Sequence, residues 1–380
     1  MAIGDSMTEQ GFDAMPCGNQ AGALPVWLAQ AAAQLLETIA PQADAINQDP
    51  MALAEAMDWL DAQGWLALKV DPEWGGRGIS EAEYGRFREA VARCSGALAF
   101  LQAQHQSAAG LIAKGDNGVL KQTYLPAIAQ GKTRLGIAFS HLRRVDDPPI
   151  EGRAVPGGWE ICGTAPWVTG LGYFPEAVLA VPTELGVLFC LVPIAATEER
   201  GRVQPGPPMS LGAMGSTQTA AVMFDRWFVP TDLVVGLEPI DWVQQLARRS
   251  VLQGVYFVLG CTQAALDRLT TSFAEKRLLA IAATHDTLLQ DLDRLRQAIY
   301  GISPTAPYHY QLQLRGQAIA LMGRAVQAVL ITQGGRASLT ANPAYRLQGE
   351  ASIFATSGQT LDILAAALGA IVGAPLSQVD

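Results

Sequence analysis

The sequence predicts an α+β chain of three consecutive units: helical, then β, then helical. Three observations carry that expectation. Residues from about 22 to 132 repeat apolar side chains at helical spacing, as in LPVWLAQAAAQLLETIA and DPMALAEAMDWLDAQGWLAL, with Pro and Gly between the periodic segments. From Arg134 to about Leu237 the pattern becomes short runs of Val, Ile, Phe and Trp bounded by Gly, Pro and Asp turns. From Ile240 onward, long helical repeats return. The expected units are therefore 22–132, 133–238 and 239–380.

Composition fits a folded chain of that size. With 380 residues, 49% hydrophobic and 16% charged, the chain has enough apolar material for a large core. A net charge of -9 and no cluster of Lys and Arg argue against a nucleic-acid partner. The five cysteines are far apart, odd in number and without CxxC spacing, which argues against a disulfide framework or a metal site and suits a cytoplasmic protein. The longest apolar run, GVLFCLVPIAA at 186–196, is shorter than the roughly 20 residues a bilayer span needs. No membrane association is expected.

Within the middle unit the expected strands are RLGIAFSH, GWEICG, PWVTG, EAVLAVP, GVLFCLVP and AAVMFDRWFV. In the last unit the helical segments begin with WVQQLARRSVLQGVYFVLGCTQAALDRLTTSFAEKR, read as one long helix, and continue through THDTLLQDLDRLRQAIYGI and HYQLQLRGQAIALMGRAVQAVLIT. Breaks fall at Ser303-Pro304 and Gly334-Gly335. Long helices with short connections suggest a bundle.

Six stretches carry more specific patterns: GWLALKVDPEWGGRGIS at 64–80, LPAIAQGKTRLGIAFSH at 125–141, GTAPWVTG at 163–170, MSLGAMGSTQTAAVMFDRWFVPTDLVVG at 209–236, LGCTQAALDRLTTSFAEKR ending at Arg277, and QGGRASLTANPAYRLQGEASIFATSGQTLDIL beginning at Gln333. Together with the helix–β–helix order they resemble the acyl-CoA dehydrogenase superfamily over almost the whole chain. The resemblance implies a β-barrel-like or sandwich domain in the middle, a C-terminal four-helix bundle, and FAD as cofactor.

The third stretch is the most specific. Where relatives carry Gly-x-Lys-x-Trp-Ile-Thr, this chain has Ala165, Trp167 and Thr169. The resemblance assigns Trp167 to the flavin ring face and Thr169 to the neighbourhood of its N5, since a flat aromatic covers the ring and a donor stabilises the hydride-accepting nitrogen. A plain core aromatic on a strand is the other reading of Trp167. Ser140 stands at the family's threonine, where its hydroxyl would donate to a flavin carbonyl; His141 beside it reads as a solvated strand-end histidine. After them the usual Gly-Ser loop is replaced by LRRVDDPPIEG.

By the same resemblance Lys276 and Arg277 reach the diphosphate of a flavin bound across a subunit interface, although a basic helix end stabilised by the macrodipole accounts for them equally. Gly334 and Gly335, with Ser357 and Gln359, complete the cofactor set, and Arg249 is assigned to substrate. The implied partners are an acyl thioester or other hydrophobic substrate, an electron-transfer flavoprotein or flavin reductase, and further copies of the chain as a homodimer or homotetramer.

The catalytic position departs from the family. Relatives place a glutamate nine residues after an arginine, in Tyr-Glu-Gly-Thr-x-x-Gln; counting from Arg346 gives Ala355. The alternative family location falls in LARRSVLQG, which holds no acid. On a continuous helix Glu350 would point about 140° away from Ala355, and Asp362 would share its face roughly 10 Å further on. Asp146 and Asp147 sit in the altered loop. Three readings follow: a FAD-dependent oxidoreductase acting on the CH-CH group of an acyl-CoA-type substrate with a relocated base, a flavin-dependent monooxygenase of the same fold, and a catalytically silent relative serving as a binding module.

Overall fold

The computed structural model describes residues 24–143 and 148–373. Cys17, Asp146 and Asp147 lie outside them. Six helices open the chain: α1 (Val26–Thr38), α2 (Ala43–Gln48), α3 (Pro50–Ala62), α4 (Glu81–Cys94), α5 (Gly96–Lys114) and α6 (Gly118–Ala129). Their starts are written in the sequence. Asp49 caps α3 through the Met51 amide, and Ser80 with Glu83 closes a reciprocal capping box on α4. Helix α5 is buried on most of its circumference, which its run of Ala, Leu and Gly allows.

Eight strands follow: β1 (Leu135–Ala138), β2 (Ile150–Val155), β3 (Gly158–Val168), β4 (Glu176–Thr183), β5 (Gly186–Pro193), β6 (Arg202–Pro205), β7 (Ala220–Pro230) and β8 (Val234–Glu238). They form two four-stranded sheets, ordered β1-β4-β5-β8 and β2-β3-β7-β6. The first is covered on both faces. One face of β4 and β5 joins the main core through Leu179, Val181, Leu188 and Cys190; the other packs Val178, Ala180, Phe189 and Leu191 against helix α6 and Trp242. Continuous apolar runs are what doubly covered strands require, and EAVLAVP and GVLFCLVP are such runs. Sheet β2-β3-β7-β6 leaves one face outward, so β7 alternates buried and open positions.

Two expectations about strands need correction. GWEICG and PWVTG are one strand, β3, whose register against β7 shifts twice: between Ile161 and Gly163 the extra residue is on β7, at Asp225–Arg226, and between Ala165 and Val168 it is on β3, at Pro166–Trp167. Strands β2, β6 and β8, short and less apolar, have no counterpart among the expected runs.

The C-terminal helices are α7 (Trp242–Arg249), α8 (Val255–Lys276), α9 (Leu279–Tyr300), α10 (Tyr308–Gln333), α11 (Pro343–Thr356) and α12 (Leu361–Ile371). The expected single helix through WVQQLARR and VYFVLG is broken: Ser250 ends α7 and a turn at 250–254 precedes α8. Helices α8, α9 and α10 pack against one another, α12 lies on α10, and α4 lies along α8, so the first helical unit and the bundle share one core. Among the described residues no helix is long and apolar enough to cross a membrane.

Candidate active site

Three elements from distant parts of the chain meet at the start of α5. Glu350 of α11 is fully buried, and its Oε1 accepts from the Gly96 amide at 3.1 Å and from Arg346 Nη1 at 2.9 Å. Arg346 in turn reaches Asp44 of α2 at 2.7 Å. Burial lowers the affinity of the Arg346 guanidinium for its proton, yet the two carboxylates outweigh burial and hold it above its ordinary value. The 212–214 loop closes the junction: a Cβ on Gly96 would meet Met214 Cε at 2.8 Å, and one on Gly349 would meet Ala213 Cβ at 2.6 Å. At Gly349 the loop backbone itself is close, with the Gly212 carbonyl 2.8 Å from such a Cβ, whereas at Gly96 it is the Glu350 and Met214 side chains that fill the space.

That loop carries a chain of threonines beside β3. Met214 and Gln218 adopt left-handed backbone on either side of the turn, a conformation that costs non-glycine residues energy and that packing must hold. Packing does so through Asn47 Oδ1, which accepts from the Met214 amide at 2.6 Å, and through Ser216, which donates to the Ile46 carbonyl at 2.6 Å. Thr217 donates to the Met214 carbonyl at 2.7 Å; its oxygen lies 3.2 Å from Thr219 Oγ1, which lies 3.0 Å from Thr169 Oγ1. Since Thr217 has spent its only proton, Thr219 must donate to Thr217, and Thr169 must donate to Thr219. Thr169 is therefore left as an acceptor.

Two residues earlier, Trp167 is 50% exposed at the end of β3, the opposite of a core aromatic. Ala165, on the same strand, is fully buried. Ser140 lies on the 3-10 turn Ser140–Arg143, which packs against β3 and β4, and its hydroxyl is buried with no hydrogen-bond partner. His141 is not a solvated strand-end residue. It is buried, its Nε2 donates to the Ala180 carbonyl at 2.6 Å, and burial lowers its pKa, so it is a neutral structural group.

The remaining sequence-picked residues fall into two groups. Ser272 of α8 accepts from Thr332 at 3.2 Å and from Gln333 at 3.1 Å, which puts Lys276 and Arg277 at the same end of the bundle as Gly334 and Gly335. All four are exposed, and a Cβ on either glycine would meet nothing within 4 Å. Ser357 and Gln359 lie in the turn between α11 and α12, where the Ser357 carbonyl accepts from Arg315 Nη2 at 3.2 Å. Arg315 and Gly334 are both on or next to α10, nineteen residues apart by their numbers, hence about 28 Å along its axis. One chain does not bring the two groups together.

Arg249 is exposed at the end of α7, where its guanidinium binds Gln245 at 2.7 Å. Ala355 is half-buried in the last turn of α11, and Asp362 does not continue its face: α11 stops at Thr356, Gly358 turns with φ +66, and Thr360 caps α12 through the Ile363 amide. Asp362 accepts from the Tyr308 hydroxyl at 2.6 Å. Sequence reasoning passed over Arg88 and Arg315, both buried. The available signal was a cation on an apolar helix face, with Leu312 and Ile319 flanking Arg315 at helical spacing.

Comparison with known proteins agrees with this architecture. The family model described as acyl-CoA dehydrogenase, N-terminal domain, matches residues 27–132. The human very long-chain specific acyl-CoA dehydrogenase, mitochondrial, is 25% identical over 208 residues, which is 51% of this chain and 32% of that protein, so the match spans about a third of its length. The structure of glutaryl-coenzyme A dehydrogenase in its glutaryl-CoA complex superposes with a TM-score of 0.77 at 15% identity, covering 94% of this chain and 97% of that one. A glutaryl-CoA dehydrogenase from Mycobacterium smegmatis in complex with FADH2 gives a TM-score of 0.74 at 14% identity, covering 93% and 97%. The N-terminal helical unit thus matches the acyl-CoA dehydrogenase N-terminal family model, and the chain shares the fold of acyl-CoA dehydrogenases along nearly its full length.

Proposed function

We propose that the chain binds FAD and acts as an oxidoreductase on the CH-CH group of an acyl-CoA-type substrate, with no carboxylate base supplied from the turn between α11 and α12. The observation that carries the cofactor is the exposed Trp167 ring near the end of β3 together with the buried, unpartnered Ser140 hydroxyl on the turn that packs against β3. An indole open to solvent offers a flat face, and a hydroxyl without a partner costs free energy until something accepts from it or donates to it. FAD, when bound, supplies the hydride acceptor. Trp167 covers one ring face and Ser140 meets a ring carbonyl, while Thr169, its proton spent on Thr219, acts by acceptance and by fixing the strand end.

The diphosphate end needs cations and close backbone approach, which Lys276, Arg277, Gly334 and Gly335 supply at the far end of the bundle. The distance along α10 supports a two-copy site, in which these four residues serve the flavin held by the partner's Trp167 and Ser140. Homodimers or their pairs are the simplest assembly that closes such an exchange. An electron-transfer flavoprotein is the fitting acceptor.

The helix caps support a different register for the missing glutamate. In the family pattern the glutamate stands two residues before a threonine, and here the cap of α12 is Thr360, which puts the glutamate position at Gly358 rather than Ala355. Neither residue carries an acid. Glu350 is fully buried and ion-paired through Oε1 to Arg346, and Asp362, on the next helix, accepts from Tyr308, so neither stands at the family position. That vacancy favours a second reading, a flavin-dependent monooxygenase, which needs no such base.

Purified protein reconstituted with FAD and desalted tests both. Retained flavin absorbance, lost on Trp167→Ala, is the expected result; a colourless parent refutes flavin binding. Anaerobic bleaching by acyl-CoA thioesters supports the dehydrogenase, whereas a yellow protein that only an external flavin reductase bleaches supports the monooxygenase.

A further inference from the structure

Two buried arginines face each other across the 250–254 turn without a carboxylate between them. Arg88 of α4 donates from Nη1 and Nη2 to the backbone and side-chain oxygens of Gln253, at 2.8 and 2.5 Å, and its guanidinium lies 4.7 Å from the Tyr84 and Tyr256 ring centroids. Arg315 of α10 is 1% exposed; its one hydrogen bond goes to the Ser357 carbonyl. It lies so close to Gly254 that a Cβ there would sit 2.3 Å from Nη1, so the glycine is what admits the guanidinium. Burial first, and then the charge of Arg88, push Arg315 down to about 10, which leaves it a cation at neutral pH.

The cluster is short of acceptors. Arg315 Nε and Nη1, Arg88 Nε and the Tyr84 hydroxyl are all buried with no partner, and among the described residues neither arginine is in an ion pair. Nearby acids are committed elsewhere: Glu81 to Lys69, Glu89 to Arg296 and Tyr300. A carboxylate accepts about four hydrogen bonds through two oxygens and carries the charge the cluster lacks. Gln253 on one side and Gly358 on the other are exposed, so the two turns that flank the cluster both reach the surface.

We propose that Arg315 and Arg88 form a seat for the carboxylate group of a small organic ligand, entered between the 250–254 turn and the turn joining α11 to α12. The seat is made of this chain's own side chains and does not depend on the flavin reading. The ligand is either a free short carboxylate or the carboxylate end of a longer molecule lying towards the stacked rings of Phe257 and Phe354, whose centroids are 5.3 Å apart.

The test uses the full chain without added flavin, titrated with acetate, hexanoate, chloride and inorganic phosphate while the unfolding midpoint and the heat of binding are followed. Saturable stabilisation by a carboxylate beyond that by chloride is expected, with acetate active if the free anion suffices and hexanoate alone if a chain is required. Arg315→Met should weaken that affinity about 10-fold or more without lowering the midpoint of the ligand-free protein. Should Arg315→Met fail to fold, Gly254→Ala, which displaces the guanidinium and leaves its charge, should weaken the same binding. The seat is refuted if carboxylates act no better than chloride, if phosphate alone binds, or if either folded variant binds carboxylate as well as the parent.

Discussion

Replacing Glu350 by Gln tests whether one buried ion pair holds α11 against the first helical unit. The carboxylate is 0% exposed and 2.9 Å from Arg346 Nη1, itself only 11% exposed in its side chain. At that separation and an effective dielectric of 20 the Coulomb attraction is about 6 kcal/mol, of which desolvation cancels a large share. Removing one partner of such a pair typically costs about 3–5 kcal/mol. Glutamine retains an oxygen for the Gly96 amide, and Arg346 retains Asp44, so the lower figure, about 3 kcal/mol, applies. Alanine gives up the Gly96 bond as well and should cost about 1 kcal/mol more.

For a chain of 380 residues the unfolding entropy is about 0.8 kcal/mol/K, and a loss of 3 kcal/mol lowers the midpoint by about 4 °C. The assay is thermal and urea unfolding of parent, Glu350→Gln, Arg346→Met and the double variant. A coupling of about 2 kcal/mol, with the double variant less destabilised than the sum of the singles, is expected for directly paired residues. A Glu350→Gln midpoint within about 1 °C of the parent, or strictly additive singles, refutes the clamp.

Two further outcomes follow from the same geometry. His105 is fully buried, accepts from the Leu135 amide at 3.0 Å, and is pushed to about 4 by burial, reinforced by Arg134. Because the folded value lies below the unfolded one, the unfolded chain binds the extra proton: stability is flat above about pH 6.5 and falls between there and pH 4, by about 3 kcal/mol for this residue. Denaturant midpoints across that window should show the slope, and His105→Asn, which keeps an acceptor near Nδ1, should flatten it. At the α11–α12 turn, Gly358→Glu places a carboxylate where Thr360 sets the family register, at a cost of about 1 kcal/mol for left-handed backbone. Thioester-dependent flavin reduction should then rise about 10²-fold over both the parent and Ala355→Glu, followed as anaerobic bleaching; an Ala355→Glu variant that outperforms it refutes the register.

Period and punctuation made the helix–β–helix order readable, because doubly covered β4 and β5 must be continuously apolar and α8, α9 and α10 must carry long apolar stripes. Boundaries were harder where the chain breaks rules locally. Gly163 looks like a turn between two strands but is a paired residue inside β3, and nothing in LARRSVLQGVYF marks the end of α7, since no Pro interrupts it. The proposed shift of register from Ala355 to Gly358 has a related origin. Counting from an arginine assumes an unbroken match, whereas the cap at Thr360 is an anchor visible only once α11 is seen to stop at Thr356. The proton order through Thr217, Thr219 and Thr169 depends on contacts between residues up to fifty positions apart, and no local pattern reports it.

Arg315 shows how a single helix ties these features together. Helix α10 is a rod of 26 residues, about 39 Å long, so whatever it carries at its two ends is held apart by that length. One end presents Gly334 next to the cationic end of α8, and the interior carries Arg315 against the turn where the family keeps its acid. A glutamate at Gly358 would stand on the residue directly after the carbonyl that Arg315 holds, close to a guanidinium with donors to spare. Such a carboxylate would be drawn towards that cation and its pKa lowered, which holds the gain expected from Gly358→Glu to the low end of the roughly 10²–10⁴-fold that a well-tuned base supplies. A turn that holds no acid of its own beside a buried arginine with no ion-pair partner among the described residues is chemically consistent with the proposed seat, since the anion can then come from a ligand.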